Sequence, residues 1–144
     1  MKKIFFLLSF IGVLNAGVYT NDLIKCVVQK TTKTEFSLLK KWIFFAFSSD
    51  KELKSYVNIS EKDKLLVNQL MGKYITDILT SRCKKEFETA YKYEGKYAIS
   101  KTFRYLGEIA GGSVMNSYEV QNYIKEFAQY IDANKFEKIL KEVK

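Results

Sequence analysis

Apolar residues recur at helical spacing through most of the chain, and no proline interrupts them. The clearest run follows Ser60, because Ser60-Glu61-Lys62-Asp63 fits the capping-box pattern that marks a helix start. The apolar residues of this run recur every three or four positions and are Leu66, Val67, Leu70, Met71, Tyr74, Ile75 and Ile78. This spacing predicts a helix that reaches about Arg82 and turns one face toward a protein core.

Similar patterns predict helices along the rest of the chain. The first is expected to have Thr20, Asn21 or Asp22 as its cap. The second begins at about Glu35 and is apolar nearly all round over residues 42–47, so we predict that this turn is buried in the middle of a bundle. Further helices are predicted from Cys83 to a C-cap at Gly95, over Lys96–Met115, after Asn116-Ser117 and after Asp132-Ala133-Asn134. We therefore predict an all-α fold, a single compact bundle of five to seven helices.

The first sixteen residues have the layout of a secretory signal peptide. Lys2 and Lys3 precede an apolar run from Ile4 to Leu14, and Asn15-Ala16 offers a small residue for cleavage before Gly17. The run is shorter than the roughly 20 apolar residues of a membrane span. We predict a signal peptide over residues 1–16, a helical domain over 17–144, and no stable membrane insertion after cleavage. An uncleaved N-terminal anchor is the alternative.

The two cysteines, Cys26 and Cys83, both remain after cleavage. An even number of cysteines in an exported chain favours a disulfide. The alternative is two free thiols, one of them a nucleophile, but a nucleophilic thiol needs a base and the chain has no histidine. We predict a structural Cys26–Cys83 bridge and a periplasmic or secreted location.

The composition limits the chemistry further. Without histidine, Ser-His-Asp, Cys-His and His-metal sites are excluded. The formal net charge is +8, and the leader carries two lysines and no acid, so the mature chain keeps +6. This charge is modest and acids are interspersed along the chain, which argues against nucleic acid as a partner.

One segment interleaves aromatic and cationic residues and is the predicted binding surface. We call its members Tyr93, Tyr97, Lys101, Arg104 and Tyr105 the tyrosine flank. Tyrosine and arginine are enriched at binding hot spots, and the cations favour an acidic partner. The structural alternative is that the tyrosine rings cover the edge of the core while the lysines reach water.

Three glycines, Gly107, Gly111 and Gly112, lie inside a helical pattern, where each costs about 1 kcal/mol relative to alanine. The favoured interpretation is a flat strip that lets another helix approach closely. The alternative is the floor of a ligand pocket. A phosphate-binding loop is excluded, because the strand-to-helix turn and the following Lys and Ser or Thr are missing.

Carboxylate pairs for hydrolysis could be drawn from Glu86, Glu88, Glu94 and Glu108, although nothing in the sequence places two of them across a cleft. No cluster has the spacing of metal ligands. We predict no cofactor, no metal and no catalytic residue.

Several motifs resemble those of a group of small exported helical proteins of Gram-negative bacteria. They are the Trp-bearing run Leu38–Ser49, Arg82-Cys83, the segment Lys92-Tyr93-Glu94-Gly95, and Leu106-Gly107-Glu108. The resemblance implies a periplasmic location and a helical fold, and it implies no activity.

Together these observations predict a non-enzymatic protein that binds a protein partner, for example as an inhibitor or immunity protein. A carrier of a small apolar or glycan ligand is the first alternative, and a cell-wall hydrolase using paired glutamates is the second.

Overall fold

The computed structural model describes residues 17–143, so the predicted signal peptide lies outside the described residues. Within them the regular structure is helical. The seven α-helices in this part of the chain are α1 (Val18–Lys30), α2 (Lys33–Phe47), α3 (Glu61–Asp77), α4 (Lys84–Glu94), α5 (Lys96–Met115), α6 (Tyr118–Glu126) and α7 (Ala133–Glu142). Short 3-10 segments cover Lys54–Tyr56 and Phe127–Tyr130, and a π-helical segment covers Ile78–Arg82. The predicted all-α bundle with one disulfide is confirmed.

Local capping explains where several helices begin and end. At the start of α2 the Thr32 hydroxyl accepts from the Glu35 amide at 3.2 Å, and the Glu35 carboxylate accepts from the Thr32 amide at 2.8 Å. At the start of α3 the Ser60 hydroxyl accepts from the Asp63 amide at 3.1 Å, as the capping-box pattern predicts. Gly95 ends α4 with a φ of 66°, a conformation that favours glycine.

The chain divides into two compact units, each described by itself. The first contains residues 17–31 and 75–103. In this unit α1 packs against α4 and against the π-helical segment. Its core contains Thr20, Leu23, Cys26, Val27, Ile78, Leu79, Cys83, Ala90, Ala98 and Thr102. Burial of the Thr102 hydroxyl is compensated, because it donates to the Ala98 carbonyl at 2.8 Å.

The predicted disulfide joins Cys26 in α1 to Cys83 at the start of α4, with the two Cα atoms 5.9 Å apart. Polar contacts surround it. Lys30 Nζ donates to the Arg82 carbonyl at 2.5 Å, and Arg82 Nη1 donates to the Lys30 carbonyl at 2.7 Å. The Arg82 guanidinium also pairs with Asp77 at 2.7 Å. The end of α1 is therefore fixed to the π-helical segment by covalent, polar and apolar contacts.

The second unit contains residues 32–74 and 104–143. Its buried residues are Leu39, Ser48, Val67, Met71, Tyr74, Leu106 and Ala110. Trp42 Nε1 donates to the Asn68 side-chain oxygen at 2.9 Å, which connects α2 with α3. Within residues 17–143, no helix combines the length and the apolar character that crossing a membrane requires.

Two expectations about the first two helices are wrong. α1 begins at Val18 with Gly17 at its N-cap, and Thr20 lies inside the helix and is fully buried, because a distant carboxylate caps this end. The turn over residues 42–47 is not the centre of a bundle, since Phe44 is 52% and Phe47 is 65% exposed. A helix that is apolar all round buries only the faces that other elements cover, and in α2 only Leu39 is fully enclosed.

The core stripe of α3 is also narrower than predicted. Val67, Met71 and Tyr74 are buried, whereas Leu66 and Leu70 are 50% and 41% exposed. The buried residues follow a strict spacing of four and three, so the buried face is centred on them.

Candidate functional site

Three members of the tyrosine flank lie in the first unit and are accessible. Tyr93 is 60% and Tyr97 is 58% exposed, and Lys101 is half-buried. The Tyr93 ring stacks on Tyr19 with centroids 4.8 Å apart, and Lys92 Nζ lies 5.2 Å from its centroid. Tyr93 is therefore held in place by neighbours. Tyr97 is almost as exposed and lies one turn before Lys101 in α5, so an exposed ring lies beside a cation.

The other two members of the tyrosine flank, Arg104 and Tyr105, lie in the second unit. Tyr105 is 43% exposed. Arg104 pairs with Glu108 at 3.7 Å in an i,i+4 arrangement, and both side chains are exposed. An exposed pair of this kind contributes little stability, so Arg104 can exchange this acid for another at low cost. The five residues are thus accessible or half-buried.

Glu94 has a role that the sequence does not indicate. Its carboxylate accepts hydrogen bonds from the Tyr19 amide at 3.1 Å, the Thr20 amide at 3.0 Å and the Thr20 hydroxyl. It therefore caps α1 from the end of α4.

A cleft lies along α1 and α4 in the first unit, with a volume of about 500 Å³. This size is within the range of small-molecule sites. Most of the residues that line it have polar or charged side chains, but apolar atoms form more than half of the lining surface. The lining residues are Tyr19, Asp22, Lys25, Cys26, Gln29, Lys30, Lys85, Glu86 and Thr89. Lys25 pairs with Asp22 at 3.7 Å. Such a mixed lining suits a ligand that has both hydroxyl groups and apolar faces.

The glutamates considered for hydrolysis have separate roles. Glu94 caps α1, Glu88 pairs with Lys84 at 3.8 Å, and Glu108 pairs with Arg104. Glu86 lines the α1–α4 cleft. Nothing in these contacts places two of the four carboxylates across one cleft.

Among the described residues, no helix packs closely against the glycine strip. A Cβ added to Gly107, Gly111 or Gly112 would meet no described atom within 4 Å. The predicted close approach of another helix is therefore wrong, and these glycines do not line the α1–α4 cleft either. Space around a helix position allows a larger residue, so packing does not explain why glycine is present.

A second accessible area, which the sequence reasoning missed, lies at the C-terminal end of the second unit. On α7 the apolar stripe is exposed, with fractions of 59% for Phe136, 59% for Ile139, 62% for Leu140 and 79% for Val143. The 3-10 segment before it adds Phe127 and Tyr130, which are 59% and 84% exposed. The spacing of these residues predicts an apolar face but carries no information on whether another element covers it.

Among residues 17–143, no group of three or more Cys, Asp or Glu side chains is arranged to hold a metal ion. Comparisons with protein-family models, curated proteins and solved structures give no match to this chain.

Proposed function

We propose that the protein is exported, loses its leader, and acts in the periplasm or outside the cell as a non-enzymatic binding protein for a protein partner. The tyrosine flank, Tyr93, Tyr97, Lys101, Arg104 and Tyr105, is the proposed contact surface. The proposed partner presents an acidic surface. In its most specific form, the proposal is an inhibitor or immunity protein that covers a cell-wall enzyme or a toxin.

The observation that carries the proposal is the exposure of tyrosines beside cations. Tyr97 is 58% exposed, and Lys96 and Lys101 are its neighbours along α5. Tyrosine supplies a large contact area at low conformational cost, and complementary charges orient and speed association. Exposed apolar area on a small domain also marks interaction surfaces. The exposed apolar residues of α7 form a second area of this kind. The Cys26–Cys83 disulfide is compatible with the oxidising compartment that the proposal requires.

The test uses a periplasmic extract and the oxidised protein as bait. We expect a protein bound in stoichiometric amount, with affinity that falls as salt rises because charges contribute to recognition. The variant Tyr97→Ala with Lys101→Glu should weaken binding at least about tenfold. The matched control is Tyr56→Ala with Lys51→Glu, which makes the same changes at exposed positions elsewhere in the chain.

The proposal fails if no protein is bound in stoichiometric amount. It also fails if the flank variant and the control variant bind the partner equally, because the surface would then lie elsewhere. Hydrolysis of a glycan panel that a single Glu→Gln change abolishes would replace the binding function with the hydrolase alternative.

The α1–α4 cleft favours a second function, the carrying of a small polar ligand such as a glycan. Its volume and its lining, which combines apolar surface with charged and hydroxyl-bearing side chains, are the supporting observations. Native mass spectrometry of the purified protein would then show a bound small molecule. Lys85→Glu, which reverses a charge in the cleft, should lower the bound fraction, while Lys51→Glu should not.

A further inference from the structure

The first turn of α1 is capped by an acid from the end of α4, a helix of the same unit that is distant in sequence. Gly17, the N-cap residue, has no side chain, so the free amides of this helix start must find another acceptor. The Glu94 carboxylate accepts from two of these amides, those of Tyr19 and Thr20, and from the Thr20 hydroxyl. Bonds to an ionised acceptor are stronger than those between neutral groups.

Gly17 itself lies directly against this carboxylate. A Cβ added to Gly17 would overlap the Glu94 carboxylate, so a larger residue here would require this carboxylate to move away from the start of α1. Since the N and Cβ of one residue are about 2.5 Å apart, this overlap puts the Gly17 nitrogen within about 4.5 Å of the carboxylate. That distance is close to an ion-pair contact.

The carboxylate retains the capacity for one more donor. An ionised carboxylate offers about four lone-pair positions, and three donors among the described residues use it. A positive charge at a helix N-terminus is normally unfavourable, because it faces the positive end of the helix dipole. The negative charge of Glu94 outweighs this repulsion, so a cation is stabilised at the start of α1.

We infer that the chain is processed between Ala16 and Gly17 and that Glu94 binds the α-amine that this processing creates. A signal peptidase adds water across the peptide bond, leaving a carboxylate on Ala16 and an amine on Gly17. The amine takes up a proton at neutral pH. Cleavage thus replaces a neutral amide with a cation beside Glu94, and the mature chain gains an ion pair that the precursor does not have. The inference depends on the export that the proposed function includes.

The experiment begins with the full chain expressed with its leader and purified from the periplasm. N-terminal sequencing should give Gly17 as the first residue. Part of the sample is then treated with pyridoxal phosphate, which accepts the terminal amino group and leaves a neutral carbonyl on Gly17, while the lysines keep their charge. Thermal unfolding at pH 6 is compared for treated and untreated samples of the wild type, Glu94→Gln and Glu88→Gln.

Glu94→Gln keeps the shape of the cap and removes its charge, and Glu88→Gln is the matched control on the exposed side of the same helix. We expect treatment to lower the Tm of the wild type and of Glu88→Gln by about 3–5 °C, and that of Glu94→Gln by less than about 1 °C. If Glu94→Gln does not fold, the wild-type protein alone tests the ion pair. The Tm difference between treated and untreated protein must then shrink in 1 M salt, which screens an ion pair (Debye length about 3 Å).

A first residue other than Gly17 overturns the inference. Equal Tm losses in all three proteins also overturn it, as does a difference that salt leaves unchanged. Failure of partner capture in the experiment described earlier would leave these results intact, so the two proposals can fail separately.

Discussion

Removal of the Cys26–Cys83 disulfide should destabilise the protein more than any single surface change. The bridge joins positions 57 residues apart and connects α1 to the start of α4. Both cysteines are buried, with 8% exposure for Cys26 and none for Cys83. The perturbation is the double variant Cys26→Ala and Cys83→Ala, which removes the bridge and leaves two small apolar residues in the core.

The expected loss follows from the length of the closed loop. A cross-link spanning 57 residues restricts the unfolded chain by about 4 kcal/mol at 25 °C in the chain-entropy treatment. The contacts around the bridge, such as Lys30 to the Arg82 carbonyl, remain available in the variant. The loss of folding free energy should therefore come mainly from the greater conformational freedom of the unfolded chain without the bridge. For a domain of this size, it corresponds to a fall in Tm of about 10–20 °C.

The assay is urea unfolding followed by far-ultraviolet circular dichroism, for the oxidised wild type, the reduced wild type and the double variant. The reduced wild type and the double variant should lose similar free energies of unfolding. Addition of reductant to the double variant is the control and should change nothing. A loss below about 1 kcal/mol in both samples would refute the reasoning, because the bridge would then restrain little of the unfolded chain.

Three further changes test individual contacts by urea unfolding. Gly17→Ala should cost about 1–2 kcal/mol because its Cβ displaces the Glu94 carboxylate from the amides that it caps, whereas Gly112→Ala, which has open space in α5, should stabilise by up to about 1 kcal/mol. Equal effects at the two glycines would contradict this contrast. Asn68→Ala should cost about 0.5–1.5 kcal/mol by removing the acceptor of the Trp42 indole, and the same substitution in a Trp42→Phe background should cost clearly less. Phe136→Ser, at a residue 59% exposed, should change stability by less than about 0.5 kcal/mol; a loss above 2 kcal/mol would show that this ring is buried.

Features that depend on nearby residues could be predicted from the sequence. The predicted bounds of α5, Lys96–Met115, match the structure, because Gly95 ends one helix and Asn116-Ser117 ends the next. The Ser60 hydroxyl caps the Asp63 amide as the spacing predicts, and the Asp63 carboxylate accepts from the Ser60 hydroxyl. The disulfide is an exception, because it joins distant residues and was still predictable from two cysteines in a chain with an export signal and no histidine.

Apart from the disulfide, features that depend on distant residues could not be predicted. The cap of α1 is Glu94, more than 70 positions away, and no local pattern marks it. Periodicity identifies the apolar face of α2 and of α7, but burial depends on which other element covers that face. Phe47 and Leu140 are therefore exposed despite their apolar surroundings in the sequence. The prediction that a helix packs on the glycine strip is wrong for the same reason. A small residue allows another helix to approach closely, but it does not bring one there.

The account depends most on the claim that the mature, oxidised chain works by holding a protein partner. Native mass spectrometry of the protein purified from the periplasm tests this most directly, since a single spectrum reports the N-terminus, the redox state and the bound species. We predict a chain beginning at Gly17, with the two thiol hydrogens missing, in a one-to-one complex with another protein. A chain recovered with both thiols reduced and with no protein bound would contradict the account.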